Sequence, residues 1–241
     1  MKNIILTGAS GGIGYEIALT LADKENRLIL VYNKSKAEIV KLAKKLDGFC
    51  FDIYKCNLAD LTEVKRMIND IIKKYKHIDC LINCAGVSLS KLVQDYTEKD
   101  YSYIMDNNFK SCFNITKSVV PHMVHAEYGR IVNISSMWGV VGASMESLYS
   151  ATKGAMNSFT LSLAKELGGS NITVNAVCPG LIDTKMNACY SKQEIEEIIN
   201  ASPIKRIGTP KDVANLVEFL SSDKASFITG QIITVDGGLT L

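Results

Sequence analysis

Short apolar runs alternate along the chain with longer segments whose apolar residues recur every three or four positions. NIIL (3–6), RLILVYN (27–33), FDIYKC (51–56), DCLINCAG (79–86), GRIVNISS (129–136), NITVNAVCPG (171–180) and GQIITVDGG (230–238) read as strands. Between them lie helical patterns: IGYEIALTLADK (13–24), 36–46, 61–76, a long helix over 101–124, one ending near Leu167, a region near 191–200, and one over 210–221. In LTEVKRMINDIIKKYK, residues Leu61, Val64, Met67, Ile68, Ile71, Ile72 and Tyr75 fall on one helical face. The strands are continuously apolar instead of alternating, which indicates a parallel sheet covered by helices on both faces. No linker or composition break divides residues 1–241. The predicted fold is α/β, a single doubly wound domain.

Composition narrows the functions. The chain has 241 residues, with 27 basic against 25 acidic and a formal charge of +2. That balance predicts no nucleic acid partner and no anionic membrane surface. The lysines of KSKAEIVKLAKKL (34–46) read as the solvated side of an amphipathic helix. The seven cysteines are scattered at 50, 56, 80, 84, 112, 178 and 189, without paired zinc spacing. His122 and His125 lack a third ligand, so no metal is expected. Scattered thiols in apolar runs fit a reducing, cytoplasmic setting. The run NIILTG is too short for a signal peptide, and no apolar run reaches the length of a membrane span.

The turn TGASGGIG (7–14) joins the first strand to the first helix. Gly8, Gly12 and Gly14 permit a tight turn and close approach of a ligand to the backbone. The helix start behind them offers unpaired N–H groups and a positive dipole end to a pyrophosphate. In this strand–turn–helix context the glycines predict a dinucleotide in a Rossmann-type domain. The end of the second strand chooses among dinucleotides. A carboxylate there would bind the ribose 2′-hydroxyl of NAD and repel the 2′-phosphate of NADP. The chain instead has Asn33, Lys34 and Ser35, with no acid before Glu38. This predicts NADP(H), with Lys34 as a point charge for the phosphate.

In SSMWGVVGASMESLYSATKG (135–154), Tyr149 and Lys153 are four residues apart and so share one helical face. Together these motifs resemble the short-chain dehydrogenase/reductase family over essentially the whole chain. The resemblance rests on TGASGGIG, NCAG (83–86), Asn108 in NNFKSCF, Ser136, YSATK (149–153), PGLIDTKM (179–186) and ITGQIITVDGG (228–238). It implies that Tyr149 is the general acid that protonates a carbonyl oxygen as hydride reaches the carbon. It further implies that Lys153 assists Tyr149 and holds the nicotinamide ribose, that Ser136 binds the substrate oxygen, and that Asn108 keeps a water for a proton relay. A free tyrosine titrates near pH ~10; lowering it by about three units, through the adjacent ammonium together with the nicotinamide charge, corresponds to ~4 kcal/mol. Cofactor contacts implied by motif are Gly8, Ser10, Gly12, Ile13, Gly14, Asn33, Lys34, Ser35, Asn57, Leu58, Asn83, Ala85, Gly86, Tyr149, Lys153, Pro179, Gly180, Ile182 and Thr184. Cys84 stands where that family has asparagine, so a side-chain contact is lost there while backbone contacts at 84–86 remain available. A homotetramer is implied, built through the Tyr149–Lys153 helix and the C-terminal strand.

The overall pattern looks most like the 3-oxoacyl-carrier-protein reductases of fatty acid synthesis. Where those enzymes place two docking cations near the active-site entrance, this chain has Glu127 and Ser170, and a carboxylate there repels an acidic partner. Trp138 and Glu146 are suited to an aminoalkyl cation. The phrase SSMWGVVGAS resembles reductases of the 5-aminopentanone group on modified elongation factor P. The substrate expectation is therefore a small-molecule, acyl-thioester or protein-borne ketone, with 185–210 as a lid over it. Two other classes remain as alternatives: a dinucleotide-sensing protein without chemistry, and a purely structural interaction protein. The intact set of Asn108, Ser136, Tyr149 and Lys153 argues for an enzyme.

Overall fold

The structure, a computed structural model, describes residues 1–188 and 190–241; Cys189 lies outside the described residues. Seven parallel strands form one sheet in the order β3-β2-β1-β4-β5-β6-β7. They are β1 (Lys2–Thr7), β2 (Asn26–Tyr32), β3 (Cys50–Lys55), β4 (Cys80–Asn83), β5 (Gly129–Ile134), β6 (Ile172–Pro179) and β7 (Ile232–Val235). The chain winds outward from β1 to β3, returns beside β1, and winds the other way from β4 to β7. Between β1 and β4 the winding reverses, and ligands of open α/β sheets sit at the carboxyl ends of strands at such a point.

Side chains alternate across the sheet and give each face its own core. Ile4, Leu6, Leu28, Leu30 and Val132 pack under α1 (Gly12–Leu21), α2 (Lys36–Lys45) and α9 (Pro210–Ser221). Ile5, Ile29, Val31 and Ile131 pack under α3 (Leu61–Tyr75), α5 (Ser111–Ala126) and α7 (Ser147–Leu167). Burial on both faces explains the unbroken apolar runs of the central strands, whereas the edge strands β3 and β7 are only partly covered. Each fully buried isoleucine contributes roughly 1.5–3 kcal/mol relative to exposure. In α3 the predicted stripe is the buried one: Val64, Met67, Ile68 and Ile71 face the core.

Three local features depart from the pattern-based reading. The long helix predicted over 101–124 is two helices, α4 (Glu98–Met105) and α5, joined by a π turn over Asp106–Lys110. There the Ser111 N–H reaches the Asp106 carbonyl, one residue beyond α-helical spacing. A one-turn helix, α6 (Trp138–Val141), falls where no helix was expected; four residues carry no readable period. The segment expected as a lid over 185–210 is closed at its base by a β-bridge between Ile182 and Gly208. Its end shifts inward because Thr209 and Asp212 form a capping box with Pro210 in the first turn, which starts α9. Within the segment, Ser191 and Glu194 cap α8 (Lys192–Ala201). No helix among the described residues is long and apolar enough to cross a membrane.

Polar stitches pass through the second core beneath the switch point. Asn83 and Asn133 are paired in register on β4 and β5. Asn83 Nδ2 donates to Asn133 Oδ1 at 2.8 Å and to Thr116 Oγ1 of α5 at 3.0 Å. Asn133 Nδ2 donates in turn to Thr160 Oγ1 of α7 at 2.9 Å. All four residues are buried, so each lost bond leaves a desolvated polar atom. Asn133→Ala is expected to lower unfolding free energy by about 2–3 kcal/mol in urea titrations. A change below ~0.5 kcal/mol would show that the network is dispensable.

Candidate active site

The glycine-rich turn follows β1 at the switch point. Gly8 has φ of 66°, and a Cβ there would lie 2.8 Å from the Cys84 carbonyl oxygen and the Ala85 nitrogen. On Gly14 a Cβ would lie 2.3 Å from the Gly8 oxygen, and on Gly12 it would meet Thr184 Cγ2 at 2.8 Å. Any side chain at these three positions would fill the cradle. Thr7 ties the turn to β4, its Oγ1 accepting from Cys84 N at 3.0 Å and Ala85 N at 3.1 Å. Those bonds use backbone only, so cysteine at 84 preserves them; burial pushes its thiol up to about 12. Helix α1 begins at Gly12 with no side-chain cap and no acid in its first turn. Its N–H groups and dipole are left for an anion. Ser10 and Ile13 flank this helix start.

Beyond the turn, a cavity of about 450 Å³ opens past the ends of β2 and β3. Asn33, Lys34, Asn57 and Tyr103 line it, with the Lys34 ammonium 6.0 Å from the Tyr103 ring centroid. Glu98 and Asp106 line its far wall, Asp106 paired with Lys110 at 2.9 Å. Asn57 holds its own turn by accepting from Ala59 N. Ser35 directly precedes α2.

On the other side of the switch point, the strand ends of β5 and β6 gather the chemical groups. Ser136 follows β5 and is buried, its Oγ accepting from Trp138 N at 3.2 Å. Lys153 is 4% exposed, and its Nζ donates to the Ile134 carbonyl at 2.8 Å. A Cβ on Gly139 would lie 2.7 Å from Lys153, so α6 seats directly on α7 at that residue. Asn108, in the π turn, is fully buried. Its amide accepts from Val87 N at 2.8 Å and donates to Val87 O and Thr152 Oγ1. Thr152 donates to the Tyr149 carbonyl. A Cβ on Gly86 would sit 3.3 Å from Asn108 Oδ1 and 3.5 Å from Lys153 Nζ. Gly86, Asn108, Ser136, Tyr149 and Lys153 thus converge on one end of the sheet.

Burial dominates the electrostatics of Tyr149 and Lys153. Burial pushes the Tyr149 phenol up to about 12, against a downward pull from the Ser136 hydroxyl and a further upward push from Glu146. The Lys153 Nζ bonds to Ile134 O and lies 5.6 Å from the centre of the Tyr149 ring. Burial lowers the pKa of Lys153 itself.

Several residues named from motifs have their side chains or carbonyls engaged within the fold. The Asn83 side chain belongs to the interior network. Leu58 is buried and its carbonyl accepts from Asn114. The Ile182 side chain is in the core and its carbonyl accepts from Asn187 Nδ2. Gly180 is pressed against Asp236, where a Cβ would lie 2.7 Å from the Asp236 Cβ. Pro179 accepts from Met137 N, which holds the Ser136 loop against β6. Glu127 and Ser170 precede β5 and β6, whereas Ser136 follows β5. About 20 Å of strand separates them from the site, so within one chain they do not flank its entrance.

Sequence reasoning also missed Thr7, Ser88, Gly139 and Thr152. Ser88 Oγ contacts both Glu146 carboxylate oxygens, at 3.1 and 2.9 Å. Beside Glu146, Met145 has φ of 61° while its carbonyl accepts from Lys91 N and Tyr96 OH. This pins a strained corner to the start of α7. Half-buried, Glu146 has its pKa raised by burial and lowered in part by Ser88.

A doubly wound sheet with a glycine cradle and a Ser–Tyr–Lys group at its carboxyl edge defines a nucleotide-linked oxidoreductase. The family model described as Enoyl-(Acyl carrier protein) reductase matches residues 8–240. The chain belongs to the short-chain dehydrogenase/reductase family, whose members act on CH–OH and C=O groups with a nicotinamide dinucleotide. Similar to it is the 3-oxoacyl-(acyl-carrier-protein) reductase FabG of Staphylococcus aureus, 39% identical over 240 residues, 99% of this chain and 98% of that relative. Bacillus subtilis has an Uncharacterized oxidoreductase YmfI, 39% identical over 240 residues and 98% of each chain. The solved 3-oxoacyl-(acyl-carrier protein) reductase from Brucella melitensis superposes with a TM-score of 0.92 at 30% identity, covering all of this chain and 91% of that one.

The raised phenol predicts a pH dependence. A folded pKa above the unfolded value of about 10 contributes stability that is complete below pH ~10 and lost as pH climbs toward about 12. Urea titrations of the free protein between about pH 9 and 11 should show wild type losing stability more steeply than Tyr149→Phe. Parallel losses would place the phenol in water.

Proposed function

We propose that the protein is an NADPH-dependent ketone reductase, with 3-oxoacyl thioesters as its principal substrate class. The observation that carries this reading is the convergence of Ser136, Tyr149, Lys153 and Asn108 beside a cradle that only glycine fits. The cradle and the neighbouring cavity suit a dinucleotide, which supplies or accepts hydride when bound. Gly8, Gly12, Gly14 and the start of α1 hold the pyrophosphate. Asn33, Lys34, Ser35 and Asn57 receive the adenosine end; Lys34, with no acid among residues 33–35, supports NADP over NAD. Ala85, Gly86, Pro179, Gly180 and Thr184 border the nicotinamide end.

The chain's own groups then perform the acid–base work. Ser136 Oγ donates to the ketone oxygen and stabilises charge developing there. Tyr149, protonated throughout the neutral range because of its burial, gives its proton to that oxygen as the alcohol forms. Lys153 would hold the ribose hydroxyls of the dinucleotide and bring a positive charge to bear on the phenol. Asn108, fixed by Val87 and Thr152, positions the route by which the proton is replaced.

FabG relatives favour the thioester. A second substrate reading rests on Glu146, a half-buried carboxylate beside Tyr149 with Ser88 as its hydrogen-bonding partner. It suits a ketone carrying an ammonium group, such as the 5-aminopentanone group on modified elongation factor P, with Trp138 bordering the same cleft. The open edge of β7 and the exposed Leu161 of α7 are surfaces for further copies, consistent with a homotetramer. The free thiols fit the cytoplasm.

Purified protein with NADPH and acetoacetyl-CoA should turn over steadily, and Tyr149→Phe should lose at least ~10²-fold in kcat while still binding NADPH. Turnover retained in the variant would remove Tyr149 from the proton step. On an aminoketone, Glu146→Gln should raise KM about tenfold, with little change on acetoacetyl-CoA. Equal effects on both substrates would reject the cation reading.

A further inference from the structure

Glu38 and Lys185 lie on opposite sides of the switch point. Glu38 is in the first turn of α2, just beyond β2, and Lys185 follows β6 at the root of the expected lid. Strands β1, β4 and β5 separate β2 from β6 in the sheet. Even so, Lys185 Nζ and Glu38 Oε1 are 2.9 Å apart. A link between these points has to pass the carboxyl edge of the sheet beside the glycine turn. The close fit of Thr184 confirms the path, since its Cγ2 lies 2.8 Å from where a Gly12 Cβ would be. The root of the lid therefore rests on the first residue of α1. Its base is fixed by the Ile182–Gly208 bridge and by Asp183 N donating to Gly208 O at 2.9 Å. Lys185 is two residues beyond that anchor, a short lever.

We propose that the Lys185–Glu38 pair is a strap that closes the dinucleotide crevice on its α1–α2 side and slows release of the bound cofactor. The inference rests on the family's dinucleotide site, not on the preference for NADP. A dinucleotide extending from the α1 start to the Asn33–Lys34 cavity would pass the corner formed by Thr184, Lys185 and Glu38. The pair is suited to opening. Lys185 is 89% exposed, so no packing is lost when the bridge parts. Glu38 also bonds to Lys41 at 3.4 Å and keeps a partner when Lys185 leaves. Lys185 first, and Lys41 second, hold the Glu38 carboxyl below its ordinary range, so the bridge is charged at neutral pH.

The test is displacement of NADPH, and separately of NADH, from the full-length protein, followed by stopped-flow nucleotide fluorescence. Lys185→Met and Glu38→Gln should each raise the dissociation rate of both dinucleotides about three- to five-fold, the reach of one exposed ion pair. The double variant should be no faster than either single one. High salt should bring wild type to the rate of the variants, and the charge exchange Lys185→Glu with Glu38→Lys should restore slow release. Unchanged rates in both single variants would overturn the proposal. So would a Lys185→Met effect on NADPH alone with none from Glu38→Gln, which would make Lys185 a direct phosphate ligand. A wild type that binds NADH more tightly than NADPH would contradict the cofactor preference while leaving the strap to be judged by the same rates.

Discussion

A buried ammonium sets the terms for the rest of this site. Lys153 sits in the sheet–helix interface with a backbone carbonyl, Ile134 O, as its hydrogen-bond acceptor. Removing an ammonium from water costs several kcal/mol unless it is well paired, so the surroundings have to supply acceptors and space. Gly139 and Gly86 supply the space, because side chains there would collide with or crowd Lys153. Asn108, Thr152 and the Asn83–Asn133 network fix the elements that bring the acceptors close. The same burial favours the protonated phenol of Tyr149 and the neutral amine of Lys153, so both groups are disposed toward their uncharged forms.

Function follows from where these constraints meet. Parallel winding leaves the strand ends of β1, β4, β5 and β6 side by side, which brings a backbone anion site and a proton donor to one edge of the sheet. Thr7 joins the two halves through the β4 backbone. Because that link needs no side chain at position 84, the chain tolerates cysteine there. The segment after β6 starts against the glycine turn, with Thr184 beside Gly12.

Much of this was legible in the sequence. Strands buried on both faces have to be continuously apolar, so their number and order could be read directly, and the α3 stripe identified its own buried face. The glycine triple and the Tyr149–Lys153 spacing were legible because backbone approach and helical geometry restrict residue choice. The π turn at Asn108 was not, since shifting one hydrogen bond changes no composition. The spacing places Lys153 on the same face as Tyr149 but does not say which acceptor its ammonium chooses, which is Ile134 O. Asn83, Leu58 and Ile182 belong to matching motifs, yet their side chains serve the interior. The Ser88–Glu146 and Lys185–Glu38 contacts join distant segments and left no local signature.

The central claim is that the Ser136–Tyr149–Lys153 group reduces a ketone with hydride from NADPH. The most direct measurement is a single turnover with NADPH deuterated at the transferable C4 position and an acetoacetyl thioester, followed by mass analysis of the product. The account predicts an alcohol with deuterium on its carbinol carbon from wild type, and none from Tyr149→Phe. An unlabelled alcohol, or no alcohol at all from wild type, would contradict it.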